Sequence, residues 1–175
     1  MRLFVAIPVG TATRQELGSL VARLRRPGDH LKWTNPAGWH ITLAFLGNAT
    51  ADQFRQLNEQ LGTVLSTPFP ITFAAPEIFD RAGAVVVGVE LTMALTKLQI
   101  SVAAATATCG FTPEARAYRP HLTLARAHRG ERLHVRINQA EKISGFMAHE
   151  FVLYESFLEP GGAWYEARMR FGLKS

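Results

Sequence analysis

His40-Ile41-Thr42-Leu43-Ala44 and His121-Leu122-Thr123-Leu124-Ala125 are two copies of one pentapeptide pattern, His-x-Thr-Leu-Ala, set 81 positions apart. Each alternates polar and apolar residues of β-forming type and therefore reads as a strand. Side chains at i and i+2 share a strand face, so His40 lies beside Thr42 and His121 beside Thr123. Ile41 with Leu43, and Leu122 with Leu124, turn the other way, toward a core. With 6 His, 14 Thr, 19 Leu and 24 Ala among 175 residues, chance supplies roughly 0.007 such pentapeptides per chain. The repeat is not accidental.

Two imidazoles and two hydroxyls facing one cleft suit in-line attack on a phosphodiester, especially a strained cyclic one. One His takes a proton from the nucleophile and the other gives one to the leaving oxygen; an ordinary pKa near 6.5 keeps both protonation states accessible. The hydroxyls of Thr42 and Thr123 can donate to non-bridging phosphate oxygens, where charge builds in the transition state. A half-buried strand histidine with a β-forming Thr beside it would explain one copy but not two that match. Zinc fits poorly, because neither copy has a second ligand at a usual spacing or a Cys or carboxylate cluster nearby. We expect neither metal nor cofactor.

Around the motifs, Arg126 stands five residues beyond His121. Strict alternation turns it to the opposite face, and only a bulge or a strand end would swing it in to bind phosphate. Tyr118 and Arg119 precede Pro120-His121 at the expected cleft mouth, where Tyr118 could stack on a base. Trp39 alternates away from His40 and reads as core. His128, His134 and His149 lack a matching pattern and read as surface or structural. Arg129, Arg132 and Arg136 form a basic stretch that either attracts RNA or is a solvated face.

Working outward, residues 2–8 read as a strand. Thr13 and Glu16 have capping-box spacing before a helix with the stripe Leu17, Leu20, Val21 and Leu24, ended by Pro27-Gly28. Strands follow at 30–34 and 39–46. Thr50 with Gln53 opens a second helix, striped by Phe54, Leu57, Leu61 and Val64 or Leu65. The second half has strands at 69–75 and 84–90 and a third helix carrying Leu91, Leu95, Leu98 and Val102, stopped by Gly110. The second motif strand comes next. Strands at 149–158 and 163–171 are joined by Pro160-Gly161-Gly162 in a hairpin-like turn. No low-complexity linker separates the halves, which predicts one α+β unit over residues 1–175, built of two pseudo-repeated lobes.

The bulk numbers agree. An apolar fraction of 47% supports a core without staples. One cysteine, Cys109, excludes an internal disulfide framework, argues for a reducing compartment, and reads as a buried packing residue. The opening apolar run is short and reads as a strand rather than a leader, and no run reaches the length of a membrane span. A formal charge of +5 favours an anionic partner without demanding one.

The chain resembles the 2H phosphoesterases, and within them the RNA 2',3'-cyclic phosphodiesterases, also called 2'-5' RNA ligases. The resemblance rests on Met1-Arg2-Leu3-Phe4-Val5-Ala6-Ile7, on Trp39 to Gly47, on Tyr118 to Arg126, and on Phe151 to Glu166. It implies a bilobal α+β fold of two facing antiparallel sheets with outer helices and a central cleft. It also implies metal-independent hydrolysis of RNA 2',3'-cyclic phosphate ends to 2'-phosphate ends, with reversible 2'-5' joining as a side activity. By that pattern His40 is the proton donor and His121 the proton acceptor, and Thr42 and Thr123 hold phosphate. Ala37-Gly38 and Ala44 depart from the family, which more often has Glu-Asn and Lys there; Gly172 stands at a usual Pro. We expect a cytoplasmic monomer, free of membrane, acting on RNA ends, tRNA fragments among them. The alternatives are a phosphodiesterase for small cyclic nucleotides or ADP-ribose cyclic phosphate, and a non-catalytic RNA-binding module.

Overall fold

The computed structural model describes every residue except 129–132, 134, 139, 161 and 175. Among the described residues, β1 (Arg2–Pro8) leads into α1 (Thr11–Leu24), β2 (Leu31–Trp33) and, after a 3-10 turn at Pro36–Gly38, β3 (His40–Asn48). Then come α2 (Ala51–Gly62), β4 (Phe69–Ile71), β5 (Phe73–Phe79), β6 (Ala84–Val89) and α3 (Met93–Thr108). The chain closes with β7 (His121–Ala127), β8 (Phe146–Ala148), β9 (Glu150–Glu159) and β10 (Gly162–Gly172). Two four-stranded antiparallel sheets result, in the orders β10-β9-β1-β3 and β2-β7-β6-β5, with β4 and β8 as a small separate pair.

Both motif strands form as the alternation requires: Ile41, Leu43, Leu122 and Leu124 are buried, whereas His40, Thr42, His121 and Thr123 are only partly so. One continuous core takes Leu3, Val5 and Ile7 from β1 and Val85 and Val87 from β6. Leu17 and Leu20 of α1, Leu57 and Leu61 of α2, and Leu95, Leu98 and Val102 of α3 complete it. Apolar burial on this scale is the main term holding the two sheets together. Cys109 is buried at the end of α3, and Gly110, with φ +85°, stops the helix in the left-handed region.

Several expectations are corrected. The halves of the sequence do not each build one sheet: β2 crosses to pair with β7, and β9 and β10 return to join β1. The run 69–75 divides, because Phe69–Ile71 pairs with β8 while Phe73 onward pairs with β6. Thr13 does not cap α1. Gly10 holds that position, Thr13 is buried inside the helix, and the Glu16 carboxylate accepts hydrogen bonds from the Ser144 backbone and hydroxyl instead. Thr50 and Gln53 do form the reciprocal cap of α2. Leu65 and Leu91 stay exposed, and α3 starts after Thr92, whose hydroxyl caps Leu95 N–H. Among the described residues, no helix is long and apolar enough to cross a membrane.

Candidate active site

The polar faces of β3 and β7 meet between the sheets, close enough for the charge of His121 to act on His40. Each imidazole is anchored the same way. His40 Nδ1 lies 2.6 Å from the Gly38 carbonyl and His121 Nδ1 lies 2.7 Å from the Arg119 carbonyl, both two residues upstream. A carbonyl can only accept, so each Nδ1 carries its proton and donates it, leaving Nε2 as the nitrogen free to exchange protons with a substrate.

Their surroundings differ. His40 is packed among rings: Phe4 at 4.7 Å, Tyr165 edge-on at 5.2 Å and Tyr154 at 6.1 Å between centroids. Its pKa is lowered from 6.5 to about 4, chiefly by burial and in smaller part by the charge of His121, against the opposing pull of the Gly38 carbonyl. His121 is more open, with the Phe79 ring 5.0 Å away and the Arg119 guanidinium 4.0 Å from that ring's centroid. Arg119 also pairs with Glu77 at 2.9 Å. Burial likewise holds the Tyr165 phenol above its ordinary pKa, although Arg126 and Arg2 pull it down.

Two braces tie the motifs across the sheets. The Tyr118 hydroxyl donates to the Thr42 carbonyl at 2.9 Å. Trp39 Nε1 donates to the Thr34 hydroxyl at 2.8 Å, and that hydroxyl donates to the carbonyls of Thr123 and Leu124. Tyr118 is therefore partly buried as a strut rather than standing free at the mouth, and burial raises its pKa. Trp39 is core, as its alternation requires.

A bulge settles where Arg126 points. Val85 pairs with Ala125 and Val86 with Thr123, so Leu124 is an extra residue in β7. Leu124 and Ala125 both turn to the core, and Arg126 swings onto the face of His121 and Thr123. The same slip occurs in β3, where Val5 pairs with Ala44 and Ala6 with Thr42, leaving Leu43 extra. That brings Phe45 onto the face of His40, opposite Phe4 and 73% exposed. The sequence reading missed Phe45. The signal was available, since it holds the same offset from His40 that Arg126 holds from His121.

His128, Arg136 and His149 are exposed. Arg129, Arg132 and His134 lie outside the described residues. Among the described residues no three His, Cys, Asp or Glu side chains cluster as metal ligands. A surface depression between the end of α1 and residues 25–30 includes none of the motif residues.

Comparison with known proteins places this geometry. A family model described as the 2'-5' RNA ligase superfamily matches residues 13–156. An Archaeoglobus fulgidus protein named RNA 2',3'-cyclic phosphodiesterase is 30% identical over 172 residues, covering 95% of this chain and 97% of its own. A Bacillus subtilis protein of the same name is 35% identical over 143 residues, 77% of each chain. The crystal structure of E. coli LigT complexed with 3'-AMP superposes with a TM-score of 0.87 at 25% identity, over 99% of this chain and 98% of its own.

Proposed function

Because this chain belongs to the 2'-5' RNA ligase superfamily, we propose that it hydrolyses 2',3'-cyclic phosphate ends of RNA to 2'-phosphate ends. The observation that carries the reading is the matched anchoring of His40 and His121, which leaves two Nε2 atoms available to one cleft. The names of the similar Archaeoglobus fulgidus and Bacillus subtilis proteins support the substrate class, and the complex of LigT with 3'-AMP supports a nucleotide ligand.

In the proposed reaction His121 Nε2 takes a proton from water as the water oxygen attacks phosphorus. The P–O3' bond breaks in line, and His40 Nε2 gives its proton to the departing 3'-oxygen. The products are a 3'-hydroxyl and a 2'-phosphate. Thr42 and Thr123 donate hydrogen bonds to the non-bridging oxygens, and Arg126 neutralises their growing charge. Phe45 offers an exposed ring beside the phosphate site on which a base can stack. A 5'-hydroxyl in place of water would yield a 2'-5' linkage by the same steps. The donor role of His40 needs a protonated imidazole, which its buried setting opposes until an anion arrives. The bound phosphate is thus what arms the acid.

Incubating the protein with an RNA ending in a 2',3'-cyclic phosphate and identifying the product end tests the proposal. A 2'-phosphate end is expected. A 3'-phosphate end would reassign the leaving oxygen, and binding without turnover would leave an RNA-binding module.

A further inference from the structure

Beyond the motif face, one further pair of side chains extends the cleft. Lys32 in β2 lies directly opposite Arg126 in β7, and opposite residues of an antiparallel pair point to the same side. The bulge at Leu124 has already placed Arg126 on the catalytic face, so Lys32 shares it. Asp29 fixes this arrangement from behind: its carboxylate accepts from the Leu31 N–H at 3.0 Å and from Trp33 Nε1 at 2.9 Å, which holds both ends of the short strand and leaves Lys32 exposed. Two like charges directly across a ladder oppose strand pairing. Neither cation has an ion-pair partner among the described residues, although seven ion pairs form elsewhere.

The Lys32 arm also bridges the two sheets. A Cβ placed on Gly162, at the start of β10, would stand 3.4 Å from Lys32 Cε and 3.9 Å from Nζ. The ammonium therefore sits at the end of the cleft, against the tip of the β9–β10 hairpin. Two residues along, Trp164 stacks on Phe157 at 4.2 Å and remains 42% exposed. Trp164 also lines a shallow depression with Asn35, Ala37, Gly38, Ala163 and Tyr165.

We propose that Lys32, paired with Arg126 and bordered by Trp164, is a second phosphate subsite. It holds the phosphodiester that joins the terminal nucleotide to the rest of the RNA strand. This rests on the activity proposed above and names its substrate class: an oligoribonucleotide end rather than a free cyclic mononucleotide. A mononucleotide has only the reacting phosphate, which Arg126 takes, whereas the next phosphate of a strand would occupy Lys32 and relieve the repulsion between the two cations.

The test compares kcat/KM for a trinucleotide with a 2',3'-cyclic end and for a 2',3'-cyclic mononucleotide, in the wild type, Lys32→Ala and Lys32→Arg. The wild type should prefer the trinucleotide about tenfold, the scale of one charge-assisted contact. Lys32→Ala should bring that ratio toward one through KM, and Lys32→Arg should restore it. The salt slope for the trinucleotide should fall by about 0.7 in Lys32→Ala, one phosphate's worth on a single strand. A wild-type ratio of one, or an unchanged ratio in Lys32→Ala, overturns the subsite while leaving the hydrolytic reading intact. If the wild type turns over neither substrate, the hydrolytic reading fails. Fluorescence anisotropy with a labelled trinucleotide bearing a 2'-phosphate then decides separately, equal affinity of wild type and Lys32→Ala counting against the subsite.

Discussion

The acid–base reading makes a quantitative demand on His40. Its pKa is about 4 in the free protein against an ordinary 6.5, so its surroundings, burial foremost, disfavour the imidazolium by about 3 kcal/mol. A unit negative charge about 4 Å from the ring, at an effective dielectric near 20, returns about 4 kcal/mol. One bound anion is therefore enough to bring His40 back to its ordinary range or above. Sulfate is the clean probe, since its charge is constant over these pH values. The His40 Cε1–H resonance should titrate near pH 4 without sulfate and at or above pH 6.5 with saturating sulfate. Linkage requires the complementary change: sulfate affinity should strengthen roughly tenfold for each pH unit of acidification through that window. A His40 that titrates near 6.5 in the free protein would refute the burial argument. A pKa near 4 that sulfate leaves unmoved would refute its role as an anion-armed acid.

The remaining expectations follow from the same geometry. His40→Ala and His121→Ala should each lower turnover by about 10²–10⁴-fold with unchanged circular dichroism; a sulfur in place of the 3'-oxygen, needing little protonation, should rescue His40→Ala far more than His121→Ala, and the opposite pattern would exchange their roles. Turnover should persist in excess chelator, because the described residues present no metal-ligand cluster; activity lost in EDTA and restored by one divalent ion would contradict this. Tyr118→Phe removes the brace to the Thr42 carbonyl and should cost about 1 kcal/mol in urea unfolding, with kcat falling more than KM rises; an unaltered midpoint and kcat would show that the brace is idle. Gly38→Ala would set a Cβ 2.8 Å from the Tyr165 ring, so the ring must leave its edge contact with His40 and the His40 pKa should rise toward 6.5; an unmoved titration would show that Tyr165 does not help bury the imidazole.

How much of this was legible in the chain depends on which forces were local. Alternation within each motif is a property of one strand, so the buried leucines and the His-Thr faces could be read directly. The α2 cap was likewise legible, because Thr50 and Gln53 satisfy each other. The cap expected at Thr13 was not, because Ser144, 128 residues away, takes up the Glu16 carboxylate. Sheet membership was hidden for a similar reason. Leu31–Trp33 has the pattern of any short strand, and its partner is decided by Thr34 bonding to the carbonyls of Thr123 and Leu124 from far along the chain.

The bulges carry this argument to the site. Leu43 and Leu124 look like regular members of an alternating strand, and they become extra residues only because of how β1 and β6 meet them. Each slip reverses the phase of the residues that follow it, in β3 until a second slip at Leu46. Without it Arg126 and Phe45 would lie against the core, where a guanidinium without a partner is costly to bury. With it, one cleft acquires a cation beside His121 and an exposed ring beside His40. In β7 two successive apolar residues, Leu124 and Ala125, face inward at the slip, and the small Ala lets the strand kink there without crowding the core; Ala44, at the matching place in β3, is only partly buried. A larger residue at Ala125, which is fully buried, would press the bulge outward and turn Arg126 away from the face of His121 and Thr123.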